Sequence, residues 1–398
     1  MSDGMNETGG LRTAPGTSQG ILLGLLSLVS VAASVLLAPV LPSMVAHFAP
    51  LDPHAETKVV LAMMAPALMV AVSSSFVGIL IDKIGRRSVL IVSLLLYGLI
   101  GISPAFIHDL NILVCSRFLL GIFEAAIMVA STTLIGDYFE GKERQKWLIM
   151  QTVFVAVSGI PFILIGGVLG QLHWNVPFYV YGVFILAIPA ALTLLREPSH
   201  RPRDDNSLAF PWRDVIGFYA IGLLVAILFL IVPIQLPFLL TQRGITSPLT
   251  ISVGNMANSF AILVGSIYFR RRADHPVWAN FAFAFAFIGV GLLLVVGTGN
   301  FWLTLVGAVL SGLGGGFILP AVVSEILRHL PFELRGRGTG RWQTSYFAGS
   351  FGGPLIVLGI TSLTGALEST LIVMALVSLA SALASLVALY KVRTVSQD

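Results

Sequence analysis

The sequence predicts an all-α membrane protein whose twelve transmembrane helices form two six-helix bundles. Three observations carry this prediction. Of 398 residues, 56% are hydrophobic and only 11% charged, with a mean hydropathy of +0.92. A soluble domain carries about 25% charged residues, so these are too few to solvate a globular surface of this size. Twelve segments reach the roughly 20 apolar residues needed to cross about 30 Å of hydrocarbon. Finally, Lys and Arg gather on one side of the resulting zigzag. A soluble enzyme, a disordered chain and a nucleic-acid binder are thereby excluded.

The spans are expected at about 20–45, 57–81, 88–107, 110–138, 147–172, 176–195, 215–240, 249–269, 277–296, 301–327, 340–363 and 366–390. An even number leaves both termini on one side. Twenty of the 23 Lys and Arg fall in the tails and the even-to-odd loops, from Arg12 through Lys83, Arg86, Arg87 and the Arg270–Arg272 run to Lys391 and Arg393. The opposite loops hold Lys58 and Arg243, and Arg117 lies inside a span. The positive-inside rule then puts both termini and the basic loops in the cytoplasm. The basic pI of about 9.3 is a topology signal and needs no DNA.

Span 1 carries no charge. Its apolar run begins near Ile21, is longer than a signal-peptide core and lacks a small-residue cleavage pattern, so no removal is expected. Span 2 leads into Gly78-Ile-Leu-Ile-Asp82-Lys83-Ile-Gly85-Arg86-Arg87. Gly78 allows close helix approach, and Gly85 permits a tight turn at positive φ. The stretch matches every specified position of G-x-L-x-D-[RK]-x-G-[RK]-[RK], and here the chain resembles the major facilitator superfamily. The resemblance implies a cytoplasmic latch that holds the outward-facing state: Asp82 meets the positive N-terminal end of span 11 near Gly340, and Arg86 or Arg87 pairs with Asp137 at the end of span 4.

Span 4 holds Arg117-Phe-Leu-Leu-Gly121-Ile-Phe-Glu124-Ala-Ala. Entering from outside near Asn111, the helix places Arg117 roughly 9 Å deep and Glu124 about 10 Å deeper, at 1.5 Å per residue. Seven residues are almost two turns, so both project from nearly one face. An ionisable group at that depth costs several kcal/mol unless paired or wetted, which marks a functional position. Glu124 is the one carboxylate near a midplane, and no His lies inside a span to compete. A permanently protonated or Arg-paired structural carboxylate is the alternative reading. The pattern R-x-x-x-G resembles the span-4 motif of proton-coupled members of the superfamily, and Glu at Arg+7 is similar to the organic-anion symporter and spinster-like branches. Those branches usually add charge in span 1, which this chain lacks.

Span 5 reads Gly159-Ile-Pro161 and then Gly166-Gly167-Val-Leu-Gly170, similar to a degraded form of the family's G-P-x-x-G-G antiporter motif. Pro and Gly there give a bendable, closely packed helix. After span 6, the polar stretch Arg196–Asp214 divides the spans six and six. This gives a tail 1–19, a bundle 20–195, a loop 196–214, a second bundle 215–390 and a tail 391–398. The halves echo each other: a shift of 191 lays Leu120 to Ala125 on Ser311 to Gly316 and Arg144 on Arg335, and a shift of 187 lays Gly78 on Gly265. Parallel repeats of this kind place substrate near the midplane between halves. The end of span 7, Ile234 to Gly244, is similar to the sugar- and drug-efflux group of the superfamily.

Polar residues deep enough to meet a substrate are Gln151, Gln235, Asn255, Asn258 and Gln343. Tyr346 shares a face with Gln343 at i+3. Phe123, Phe154, Phe347 and Phe351 complete apolar walls. Any of these alone also fits a helix–helix contact. As a set they suit an amphiphilic or cationic drug-like compound; a phosphate or dicarboxylate would want convergent Arg or Lys. No His, Cys or acid cluster stands at ligand spacing, so no metal site is expected. No P-loop occurs, so the expected energy source is a proton gradient, with no cofactor. No catalytic pair points to an enzyme.

The expectation is a monomeric, multi-pass protein of a bacterial inner membrane. It exports small molecules against protons by alternating access, with Glu124 and Arg117 coupling the proton. A symporter importing an organic anion or lipid-like molecule, with Arg117 binding the anion, is the competing reading. A non-transporting membrane sensor is a third.

Overall fold

The computed structural model describes residues 16–197, 210–297, 299–331 and 334–395, without the side chains of residues 75, 82, 145, 156, 335–337, 392 and 393. Most of the two tails and of the central polar stretch, and the side chain of Asp82, lie outside the described residues. Among the described residues, twelve helices are long and apolar enough to cross a membrane: Thr17–Phe48, Ala55–Ser74, Arg86–Ala105, Leu110–Tyr138, Gly141–Gly170, Val176–Leu194, Trp212–Gln242, Pro248–Arg272, Val277–Gly297, Phe301–Arg328, Gly338–Thr364 and Leu367–Lys391. They are called spans 1 to 12 below. The helix of span 2 continues to Ile84, and that of span 11 begins at Arg335.

Two spans expected to be continuous are broken. Span 1 is helical over Thr17–Leu26 and Val29–Val35, turns through a 3-10 segment at Ala38–Val40, and resumes at Leu41–Phe48. Pro39 and Pro42 lack the N–H that would continue the ladder, and the Ser27 and Ser30 hydroxyls return to the Leu23 and Ser27 carbonyls, which bends a helix. Span 7 breaks at Leu230, between Trp212–Phe229 and Ile231–Gln242, just ahead of Pro233 and Pro237. Such breaks expose backbone carbonyls inside the protein, where each needs a donor. Tyr97 of span 3 donates to the Val29 carbonyl at 2.7 Å and Tyr181 of span 6 to that of Ala32 at 3.3 Å.

The duplication suggested by the repeated residues is present in the packing. Spans 2 and 4, 3 and 4, 3 and 6, and 1 and 5 pack together, and so do their counterparts 8 and 10, 9 and 10, 9 and 12, and 7 and 11. Helices begin at Arg86 and Val277, at Leu110 and Phe301, and at Val176 and Leu367, each pair 191 residues apart. The same offset relates two N-caps. Asp109 accepts from the Asn111 and Ile112 N–H groups, and Asn300 accepts from that of Trp302.

The two bundles meet mainly through spans 5 and 8 and spans 2 and 11. Near the end opposite the basic loops this seam is tight. A Cβ at Gly167 would lie 2.5 Å from Ser252 Oγ, and one at Gly170 would lie 2.2 Å from Val40 and 3.2 Å from Pro248. A Cβ at Gly166 would reach 1.9 Å from the Leu36 carbonyl oxygen at the span 1 break. The span 5 glycines are therefore the surface on which span 1 and the second bundle close. At the basic end, Cβ atoms at Gly78 and Gly340 would meet nothing within 4 Å. Here Phe76, Ile79 and Ile84 of the span 2 helix and Ile267 of span 8 are exposed. Among the described residues the bundles are closed at one end and parted at the basic one.

Candidate functional site

Glu124 and Arg117 sit inside the first bundle, 2% and 1% exposed. Span 4 faces spans 3 and 6 with this stripe, because Gly121 lets it approach span 2 closely: a Cβ there would lie 2.5 Å from the Pro66 carbonyl oxygen. Arg117 donates from Nη2 to the Ile100 and Gly101 carbonyls, both at 3.3 Å. Its guanidinium also lies 5.2 Å from the Phe178 ring centre and 5.1 Å from that of Tyr181. A desolvated cation over such rings gains about 2 kcal/mol or more. Glu124 forms no salt bridge among the described residues, and its Oε2 has no hydrogen-bond partner. The carboxylate is thus shielded from lipid and within electrostatic reach of Arg117, Tyr97 and Tyr181, yet it is not locked in an ion pair. Sequence spacing located the acid and the arginine. It missed Tyr97, Phe178 and Tyr181, which arrive from other spans and carry no motif.

At the basic end the described latch residues are gathered at the ends of spans 3, 4 and 6. Gly85 turns at φ 108°, as the tight turn requires. Arg86 Nε lies 3.0 Å from Asp137 Oδ2. Arg87 donates from Nη2 to the Leu192 carbonyl at 2.6 Å, and Lys83 is exposed. The backbone N–H groups of Arg86 and Arg87 both donate to the Glu197 carboxylate, which caps span 3 where its partial positive charge concentrates. Glu197, at the end of span 6, was not foreseen; an acid beside a basic loop was its only sequence signal. All these contacts stay within the first bundle. The expected meeting of Asp82 with span 11 near Gly340 falls on side chains outside the described residues.

The expected cavity residues separate. Gln151 is half-buried and donates to Ser27 Oγ at 2.5 Å and Thr132 Oγ1 at 3.3 Å, so Ser27 and Thr132 join it as polar groups that sequence reasoning passed over. The Phe154 ring packs on Gly24. Phe123, Tyr346, Phe347 and Phe351 are half-buried and Gln343 is exposed; Tyr346 stacks obliquely with Trp342 and Phe229. Asn255 and Asn258 are 1% and 2% exposed, each engaged through its amide nitrogen while its Oδ1 has no partner among the described residues. Asn255 Nδ2 donates to the Pro233 carbonyl at 3.1 Å, and Asn258 Nδ2 to that of Ala308 at 2.8 Å. Pro237 has no N–H to offer Pro233, four residues earlier, and Asn255 supplies the missing donor. Gln235, 4% exposed, lines a cleft between spans 2, 7, 11 and 12 at the end opposite the basic loops.

Comparison with known proteins fits this geometry. The sequence model of the Major Facilitator Superfamily matches residues 23–300 and 277–398. The chain is 24% identical over 305 residues to the quinolone resistance protein NorA of Staphylococcus aureus, covering 73% of this chain and 77% of that one. It is 28% identical over 162 residues to the multidrug efflux pump LfrA of Mycolicibacterium smegmatis, covering 38% of this chain and 30% of that protein's length. Among solved structures, a bacterial homologue of the human lysosomal transporter Spinster, in an inward-facing and unoccupied conformation, superposes with a TM-score of 0.66. That match has 14% identity and covers 93% of this chain and 95% of the other.

Proposed function

The chain belongs to the Major Facilitator Superfamily, and from that premise we propose that this secondary transporter exports small amphiphilic or cationic organic compounds in exchange for protons. The observation that carries the reading is Glu124: a carboxylate enclosed near mid-span, within reach of Arg117 but free of any salt bridge among the described residues. Such a group changes charge when its surroundings change, which a permanently paired one does not. Arg117 is held by two carbonyls and two rings, so it stays in place whichever form Glu124 adopts. The similarity to NorA and LfrA, by name a resistance protein and an efflux pump, supports export of drug-like compounds.

In this reading the basic end is cytoplasmic and the structure is open to the cytoplasm, with tails 1–19 and 391–398 inside and the bundles spanning 20–195 and 215–390. Glu124 takes a proton from outside when the halves rock the other way, substrate leaves, and the protonated carrier returns to release the proton inside. In the outward-facing state, Gly78 and Asp82 meet span 11 and complete the latch with Lys83, Gly85, Arg86, Arg87 and Asp137. The competing anion-import reading rests on Arg117, whose Nε and Nη1 have no hydrogen-bond partner among the described residues.

The test is transport in proteoliposomes with an imposed pH gradient, using a compound found by thermal-shift screening. Glu124→Gln is expected to abolish gradient-driven transport while retaining part of the binding. Full gradient-driven transport by this variant would remove the coupling role. Inside-out vesicles give the direction: an exporter accumulates the compound when the lumen is acidified.

A further inference from the structure

At the end opposite the basic loops a cleft of about 290 Å³ opens between the two bundles. One wall is Glu56, at the start of span 2. The other walls are Gln235 and Gln242 of span 7, Val357 and Thr361 of span 11, and Glu368 of span 12. Gln235 and Val357 also line a smaller apolar recess with Ile227, Leu230 and Pro354, so the floor is hydrocarbon and the rim polar.

Three features define what would fit. Glu56 is exposed and forms no salt bridge among the described residues, leaving an uncompensated negative charge at the rim. Glu368 is already matched by Arg243, whose Nη2 lies 3.1 Å from Oε1. Arg243 is further engaged by the Val295 and Val296 carbonyls and Thr304 Oγ1, at 2.8–3.0 Å, so it is not free to answer Glu56. Spans 7 and 11 end at the cleft and spans 2 and 12 begin there, so the opposed helix dipoles offset one another and the side chains set the local charge. Gln235 is 4% exposed with no partner for its Nε2 donor, and a buried donor of that kind calls for an acceptor.

We propose that this cleft binds a small organic cation that also carries a hydrogen-bond acceptor, with the cationic head at Glu56, the acceptor at Gln235 and apolar atoms against Val357. Because Glu56 belongs to the first bundle and the remaining walls to the second, an occupant ties the closed ends together. It holds the protein in the arrangement parted at its basic end, so a cation bound here inhibits turnover. The site is separate from Glu124 and does not depend on proton coupling.

The test uses acetylcholine as probe, since it joins a quaternary ammonium to an ester carbonyl, titrated onto purified full-length protein by ligand-observed NMR. Its neutral carbon isostere, 3,3-dimethylbutyl acetate, keeps the shape and the acceptor without the charge. Saturable acetylcholine binding is expected, with the isostere at least tenfold weaker. Glu56→Gln, at an exposed position that leaves folding intact, is expected to weaken acetylcholine at least tenfold, and Gln235→Met several-fold. The readout is binding and not transport, so its outcome is independent of the coupling scheme. No saturable binding, equal binding of the isostere, or wild-type affinity in Glu56→Gln would each overturn the proposal.

Discussion

A single charged side chain inside a span is conspicuous because water is absent there, and this made Arg117 and Glu124 legible in the sequence. Their surroundings were not legible: Tyr97, Phe178 and Tyr181 stand on other helices, and no spacing rule links them to span 4. For polar residues, depth disclosed the position and not the partner. Asn255 and Asn258 look like ligand contacts by depth alone, yet each is engaged by a backbone carbonyl. Outside the spans, Asp109 caps span 4 with two N–H hydrogen bonds that hold its carboxyl below the usual carboxylate range. A depressed pKa means the cap contributes above the unfolded-state value and is lost as pH falls through the folded one. Asp109→Ala is therefore expected to lower the melting temperature at pH 7, with the deficit shrinking only below about pH 4. Asp109→Asn, still a good cap, should stay close to the wild type at neutral pH. Thermal unfolding across that range checks both.

At the scale of elements, apolar length predicted all twelve spans, and the breaks in spans 1 and 7 follow from prolines visible in the sequence. What the sequence did not disclose is how each break is repaired. Pro237 cannot bond back to Pro233, and Asn255 reaches across from span 8 to do so. Asn255→Leu keeps the bulk but leaves that carbonyl without a donor, a cost of about 1–3 kcal/mol for a buried acceptor. The expected result is a lower melting temperature in detergent with the fold retained; an unchanged value would show that water satisfies the carbonyl instead. The span 5 glycines were legible as a motif, but their partners were not. Gly166 faces the broken span 1 and Gly167 faces span 8.

For the whole molecule, the decisive feature is that the halves touch near one end and part at the other. A Cβ at Gly78 meets nothing here, whereas the closed latch would bring span 11 against it. Gly78→Trp is thus expected to leave thermal stability unchanged and to stop transport by blocking closure of the basic end. Spin labels at Ile79 and Thr344, with Cys115 replaced by Ser, should report one long distance in that variant and an added shorter distance in the parent. Hydropathy and the 191-residue echo sufficed to determine twelve spans and a duplicated plan, because lipid imposes the length and apolarity of each span locally along the chain. Only the tertiary structure decided which end is closed, which partners the buried polar groups meet, and that a cleft joins Glu56 to Gln235. Those outcomes depend on how separate helices pack side by side, and residues from distant segments meet there with no periodicity to announce them.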